Sequence, residues 1–176
     1  PASGERAMRI SPRRLLRHLL AGPRSVRRAL PGEALERIAQ AIRAAESGHQ
    51  GEIRFAIEAS LPWSYLRRNA PPRQRALMLF AKLRVWDTEH NNGVLLYVNL
   101  ADRAVEIVAD RGISAWIARD RWLTICHQAR DHFRAGGMEP GVIGAIQSIG
   151  AALSEYFPLP AGAGRGNELP DQPVVL

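Results

Sequence analysis

Apolar residues recur along this chain with two periods, and the alternation between them predicts its elements. From Glu33 to Ser47 they fall at Leu35, Ile38, Ile42 and Ala45, the spacing of one helix face, and Gly48 ends the run. Glu52–Ala59 switches to period two, with Ile53, Phe55, Ile57 and Ala59 alternating with Glu52, Arg54, Ala56 and Glu58, as in a strand with one apolar face. Leu61–Pro72 carries three prolines and reads as a loop. Arg73–Arg84 returns to helical spacing, with Ala76, Leu77, Phe80 and Leu83 expected inward. Val94–Leu100 and Ala104–Ala109 are two apolar runs joined at Ala101-Asp102-Arg103, a β-hairpin. The first run is apolar almost throughout and is placed at the sheet centre. Two helices follow. One begins near Ala115 or Asp120 and ends at Arg134, with Trp122, Ile125, Ala129 and Phe133 on a face and Gly136-Gly137 closing it. The other opens near Pro140 and carries Val142, Ile146, Ile149, Leu153 and Tyr156 in register.

A strand–helix–strand unit favours a parallel crossover from Glu52–Ala59 to Val94–Leu100. With the antiparallel hairpin this makes an α/β fold, a small mixed sheet buried by helices on both faces. The starts of the first two strands and the end of the third then meet at one sheet end. That brings together Glu52, Asn92 and Asp110, with His49 and Gln50 nearby. The loop before the hairpin adds Asp87, Glu89, His90 and Asn91, and Arg111 follows Asp110.

These residue types suit two chemistries. Hard cations such as Ca²⁺ take six to eight oxygens from carboxylates, amides and carbonyls. Glu52, Asp87, Glu89, Asn91, Asn92 and Asp110 are the candidate metal ligands, although their spacing matches no EF-hand loop. Asp110 and Arg111 are the candidate catalytic pair of a phosphomonoesterase. In that scheme the arginine forks a phosphate while Asp110, with Glu52, holds a cation or activates water. His90 is a candidate general acid. Turn chemistry accounts for the same residues, since Asn91-Asn92-Gly93 and Asp110-Arg111-Gly112 both suit tight turns. Gly162-Ala163-Gly164-Arg165-Gly166 has no strand before it and no helix pattern after it, so it is not a phosphate loop and no nucleotide cofactor is implied. His127 and His132 are five apart on a helix and share no face for zinc.

Charge divides the chain of 176 residues, whose formal net charge is +7. Residues 1–30 hold eight arginines and one glutamate, whereas residues 31–176 hold sixteen basic and sixteen acidic side chains. The basic character belongs to an N-terminal arm, in which Ser11-Pro12 opens a short helix carrying Leu15, Leu16, Leu19 and Leu20 beside Arg13, Arg14 and Arg17. Three readings stand for it: lying on an anionic membrane surface, docking an acidic partner, or packing its leucines back on the domain with the arginines in water. The leucines count against a purely nucleic-acid role. The organisation expected is an arm over 1–30, a domain over 31–157 and a disordered Pro/Gly-rich tail over 158–176. The single Cys126 excludes an internal disulfide, and no apolar run approaches the length of a membrane span.

The runs His90-Asn91-Asn92-Gly93-Val94-Leu95-Leu96-Tyr97-Val98 and Arg103–Ile113 resemble the TPM-domain family. So do Gly51-Glu52-Ile53 and the Phe133…Gly137…Gly141…Ala145-Ile146 stretch, and together the likeness covers about residues 31–157. The family includes thylakoid and bacterial envelope proteins. The resemblance implies a three-layer α/β/α sandwich around a mixed sheet. It also implies either calcium binding, proposed for some bacterial members, or the acid phosphatase activity proposed for a plant thylakoid member. The family's Asn-Asn-Gly falls on Asn91, Asn92 and Gly93, and its acidic residue opening the first strand falls on Glu52. Its Gly-Tyr-Gly-Leu-Glu stretch is replaced by Ala109-Asp110-Arg111-Gly112-Ile113. Many relatives carry a secretion signal and a membrane anchor. This chain reads as a cytoplasmic branch, peripheral to the inner membrane face through its basic arm. The expected function is a cation- or partner-binding accessory module, with the phosphomonoesterase as the alternative.

Overall fold

A computed structural model describes residues 10–160 and 166–176. The elements in chain order are helices α1 (Pro12–Leu20), α2 (Pro23–Ala29) and α3 (Gly32–Glu46), strand β1 (Glu52–Glu58), helices α4 (Trp63–Arg67) and α5 (Pro72–Lys82), strands β2 (Gly93–Asn99) and β3 (Ala104–Ala109), helices α6 (Arg111–Ser114), α7 (Arg119–Arg134) and α8 (Met138–Tyr156), and strand β4 (Val174–Val175). The sheet order is β3-β2-β1-β4. β1 runs parallel to β2, with Glu52 opposite Gly93, and the hairpin pairs Val94 with Ala109. All of β2 is buried, as its unbroken apolar run requires.

The alternation along β1, β2 and β3 splits the core into two layers. Ile53, Phe55 and Ile57 join Val94, Leu96, Val98, Val105 and Ile107 against α2, α3, α7 and α8. On the other face, Ala56, Leu95, Tyr97 and Val108 pack with Ala76, Leu79 and Val85 of the α5 region. The result is a sandwich of helices, mixed sheet and helix. No helix among the described residues is long and apolar enough to cross a membrane.

Four expectations need correction. The proline-rich loop contains a short helix, α4, started by Pro62. Leu77 and Tyr156 are exposed, not inward. On α5 the buried face is set by Arg75, Ala76 and Leu79, because Arg75 must reach Glu58 on β1. The tail is described at 158–160 and 166–176, and its second part is ordered by the sheet. Leu169 is buried, Arg54 Nη1 donates to the Gln172 carbonyl at 2.9 Å, and Val174 pairs with Ala56. Its few apolar groups suffice because β1 offers an open edge that satisfies the backbone. The glycine-rich stretch assessed as a phosphate loop lies mostly outside the described residues.

The arm also departs from expectation. Its second helix enters the core, with Val26 and Leu30 both 1% exposed. Its first helix packs by its polar face. Arg14 Nε and Nη2 donate to Asp102 at 2.9 and 2.7 Å, Nη1 to Asn69 Oδ1 at 2.6 Å and Nη2 to the Ala70 carbonyl at 2.7 Å. One turn on, the buried His18 sets Nε2 3.1 Å from Asp102 Oδ1. Leu16, Leu19 and Leu20 face solvent, at 56%, 70% and 76% exposure. The reading in which the leucines fold back and the arginines stay in water thus fails for Leu16, Leu19, Leu20 and Arg14, while Arg13 and Arg17 stay exposed and Leu15 is half-buried. A fork of charged hydrogen bonds into a buried carboxylate outcompetes leucine burial for this interface.

Candidate functional site

The sheet end where β1 and β2 begin and β3 ends carries the candidate residues. Glu52 N donates to the Asn92 carbonyl at 3.2 Å and Asp110 N to the Gly93 carbonyl at 2.9 Å, so Glu52, Asn92 and Asp110 share that end. All three are buried. Glu52, Gly93 and Asp110 form one row across three strands, and neighbouring strands lie about 4.8 Å apart. Glu52 and Asp110 are therefore about 10 Å apart at Cα. The gap above Gly93 is filled by the chain, since a Cβ there would stand 1.9 Å from the Val85 carbonyl oxygen. Glu52 Oε2 accepts the Leu169 N–H at 3.3 Å.

Asn92 and Asp110 lie on two segments whose backbones touch. The loop before β2 lies on the segment after β3: a Cβ on Gly112 would meet the Asn91 carbonyl oxygen at 2.5 Å and that of His90 at 2.9 Å. Only a glycine permits that approach. Asn91 enters the turn at φ 52°, a left-handed conformation that asparagine tolerates. Asn92 is held by three contacts. Its N–H donates to Thr88 Oγ1 at 3.0 Å, its side-chain Nδ2 donates to the Gln50 carbonyl at 2.6 Å, and its own carbonyl takes the Glu52 amide. Asp110 Oδ1 accepts the Arg111 N–H at 2.7 Å and starts α6. Asn92 Oδ1 and Asp110 Oδ2 are buried and have no hydrogen-bond partner among the described residues. Both are oxygens, and a buried oxygen without a donor costs about 1–3 kcal/mol.

The other predicted residues stand outside this pair. Asp87 is exposed and takes Arg84 Nη2 at 2.5 Å. Glu89 is exposed and contributes its backbone N–H to Glu168 Oε2 at 2.9 Å. His90, Asn91 and Arg111 are exposed. Among the described residues no group of three or more His, Cys, Asp or Glu is placed to hold a metal ion. Any cation here would therefore rest on one carboxylate, one amide and carbonyl oxygens.

Several buried polar groups make contacts that sequence reasoning did not foresee, among them His49, which it placed only near Glu52. Glu46 Oε1 accepts the Ile53 N–H at 2.6 Å, and His49 Nδ1 accepts that of Gly51 at 3.1 Å, fixing the entry to β1. At the opposite sheet end Glu58 Oε2 accepts two hydrogen bonds, from Arg75 Nε at 3.0 Å and from the Tyr97 hydroxyl at 2.7 Å. Burial first, then the Glu58 charge, drives the Tyr97 hydroxyl far above its ordinary range. A serine–histidine–aspartate chain also exists: Ser60 Oγ lies 3.1 Å from His18 Nδ1, whose ring reaches Asp102. It is a clamp, not a nucleophile relay. His18 Nδ1 already accepts the Leu61 N–H at 3.1 Å, so its lone pair is not available for the serine proton. Burial pushes the Cys126 thiol up to about 11, so it is no thiolate near neutrality.

The TPM domain profile matches residues 27–152. The chain belongs to the TPM domain family. The match starts within α2, in agreement with the burial of Val26 and Leu30 in the core. Among solved structures, the TPM protein is similar to the BA42 protein of the psychrophilic bacterium Bizionia argentinensis, at 31% identity and a TM-score of 0.72, over 84% of this chain and 95% of that one. It shares a fold with the N-terminal domain of a P. gingivalis protein, at 24% identity and a TM-score of 0.59, over 73% and 78% of the two chains. No curated protein matches.

Proposed function

We propose that this TPM domain is an accessory module that binds a divalent cation of the calcium type at the sheet end. The observation that carries the reading is the pair of buried, unpartnered oxygens, Asn92 Oδ1 and Asp110 Oδ2, on two segments that Gly112 brings into contact. They fit a hard cation in type: one carboxylate and one amide oxygen, with the backbone carbonyls of the 90–91 turn alongside. A ligand set with one formal charge and water completing the shell suits a weak site, on the order of 1 mM, as in extracellular modules. Asp110 would hold the cation and Asn92 would orient it, while Thr88 and Gln50 fix Asn92 in place.

Calcium titration followed by melting tests this. A ~1 mM site at ~10 mM Ca²⁺ adds about 1.4 kcal/mol to the folded state. For a domain of this size that is a rise of about 3–5 °C. Asp110→Asn should abolish the rise while leaving the protein folded. No rise in the unaltered protein, or an equal rise in Asp110→Asn, would remove the proposal.

A further inference from the structure

We propose that α1 is an interfacial helix that lays its leucine face on an anionic lipid surface. Arg14 and His18, four apart on the helix, point inward to Asp102. That fixes the helix's rotation and leaves Leu16, Leu19 and Leu20, spaced by three and four, as one outward stripe. A free amphipathic helix of this sequence would bury leucines against its own domain. Here the domain takes the polar face instead, so the apolar stripe has no partner within the described chain.

The charge around the stripe names the occupant. Arg13 and Arg17 form the row beside the leucines, and Arg24, Arg27 and Arg28 lie exposed on α2. Residues 10–31 contain no Asp or Glu. Leucines flanked by solvent-facing arginines match the boundary of a bilayer, where the apolar stripe reaches the acyl region and the guanidinium groups meet lipid phosphates. A protein partner would need a matching acidic rim around an apolar groove. An anionic leaflet offers both layers without further specificity. The Asp102 clamp does not restrain the stripe, since it holds the opposite side of the helix.

Sedimentation of the full chain with vesicles tests the assignment. The expected result is pelleting with phosphatidylcholine vesicles containing phosphatidylserine and none with phosphatidylcholine alone. Leu16→Gln/Leu19→Gln/Leu20→Gln, which keeps helix propensity, should lower partitioning at least ~tenfold. Arg24→Ala/Arg27→Ala should lower it by roughly fivefold per arginine and flatten the salt dependence. The melting temperature should stay unchanged in both variants, because every altered side chain is exposed. Three results would overturn the proposal. One is absence of pelleting with anionic vesicles. Another is equal pelleting of the leucine variant. The third is a concentration-dependent dimer that the leucine variant dissolves, which would assign the stripe to a second copy.

Discussion

Replacing Arg14 with alanine should release the N-terminal helix from the domain without unfolding the sandwich. Arg14 is the only side chain of α1 that forks Asp102, and both are largely shielded, at 14% and 8% side-chain exposure. Losing it leaves Asp102 with His18 and with Arg17, which stands 3.8 Å away and half exposed. Breaking one partner of a buried ion pair costs about 3–5 kcal/mol. The lower end applies, because the helix can lift and let water reach Asp102. About 3 kcal/mol corresponds to roughly a hundredfold shift in the docking equilibrium. The amides Leu15 and Ala21, bonded within the helix to Ser11 and Arg17, report it directly. Their hydrogen-exchange protection should fall about a hundredfold in Arg14→Ala while that of β2 stays unchanged. Arg14→Lys should recover little, since an ammonium cannot fork a carboxylate. Arg14→Ala combined with Asp102→Asn should be no worse than Arg14→Ala alone. A fall in protection below about threefold, or additive effects in the double variant, would refute the clamp.

Asp102 also predicts the pH dependence of docking. Burial alone would raise its carboxyl, but the Arg14 hydrogen bonds, with His18 beside it, hold it below the usual carboxylate range. A depressed folded pKa contributes stability that is present above the unfolded value and lost as pH falls through the folded one. Helix protection should therefore outlast the ordinary aspartate titration on acidification, a persistence that Asp102→Asn should remove. Gly93→Ala should cost upwards of about 3 kcal/mol in urea unfolding, because the new methyl meets backbone at Val85 rather than a movable side chain. Tyr97→Phe should cost about 1.5–3 kcal/mol in the same assay, the loss of a hydrogen bond to a charged group at Glu58. Cys126 should resist alkylation at neutral pH until the protein unfolds, and fast labelling of the native chain would contradict its raised pKa.

The sandwich was legible because its elements bury apolar faces of clear period. Val94–Leu100 and Ala104–Ala109 lie within a residue of β2 and β3, and the crossover correctly joined Glu52 to the same sheet end as Asn92 and Asp110. Polar residues that spend their charge inside the fold were not legible. Nothing in the spacing says that Arg14 seeks Asp102, eighty-eight positions away. The periodicity of α5 pointed Leu77 inward and gave no hint that Arg75 would take part of the buried face. The site was read as a common pocket for six residues because sheet topology fixes which strand ends meet. It does not fix which way each side chain turns. Gly93 was read as a turn residue, and its second role, admitting Val85 between Glu52 and Asp110, depends on a contact between distant segments.

The pairing of Ala56 with Val174 has a kinetic consequence. β1 meets β2 across a crossover and β2 meets β3 across a tight turn, whereas β4 joins only after nearly the whole chain has been threaded past it. Closing so long a loop for two residues of ladder returns little free energy until the rest of the sheet exists. The final strand should therefore zip on last and peel off first, so that opening at β4 precedes global unfolding and uncovers the Glu52 and Arg54 side of β1 before any other part of the sheet.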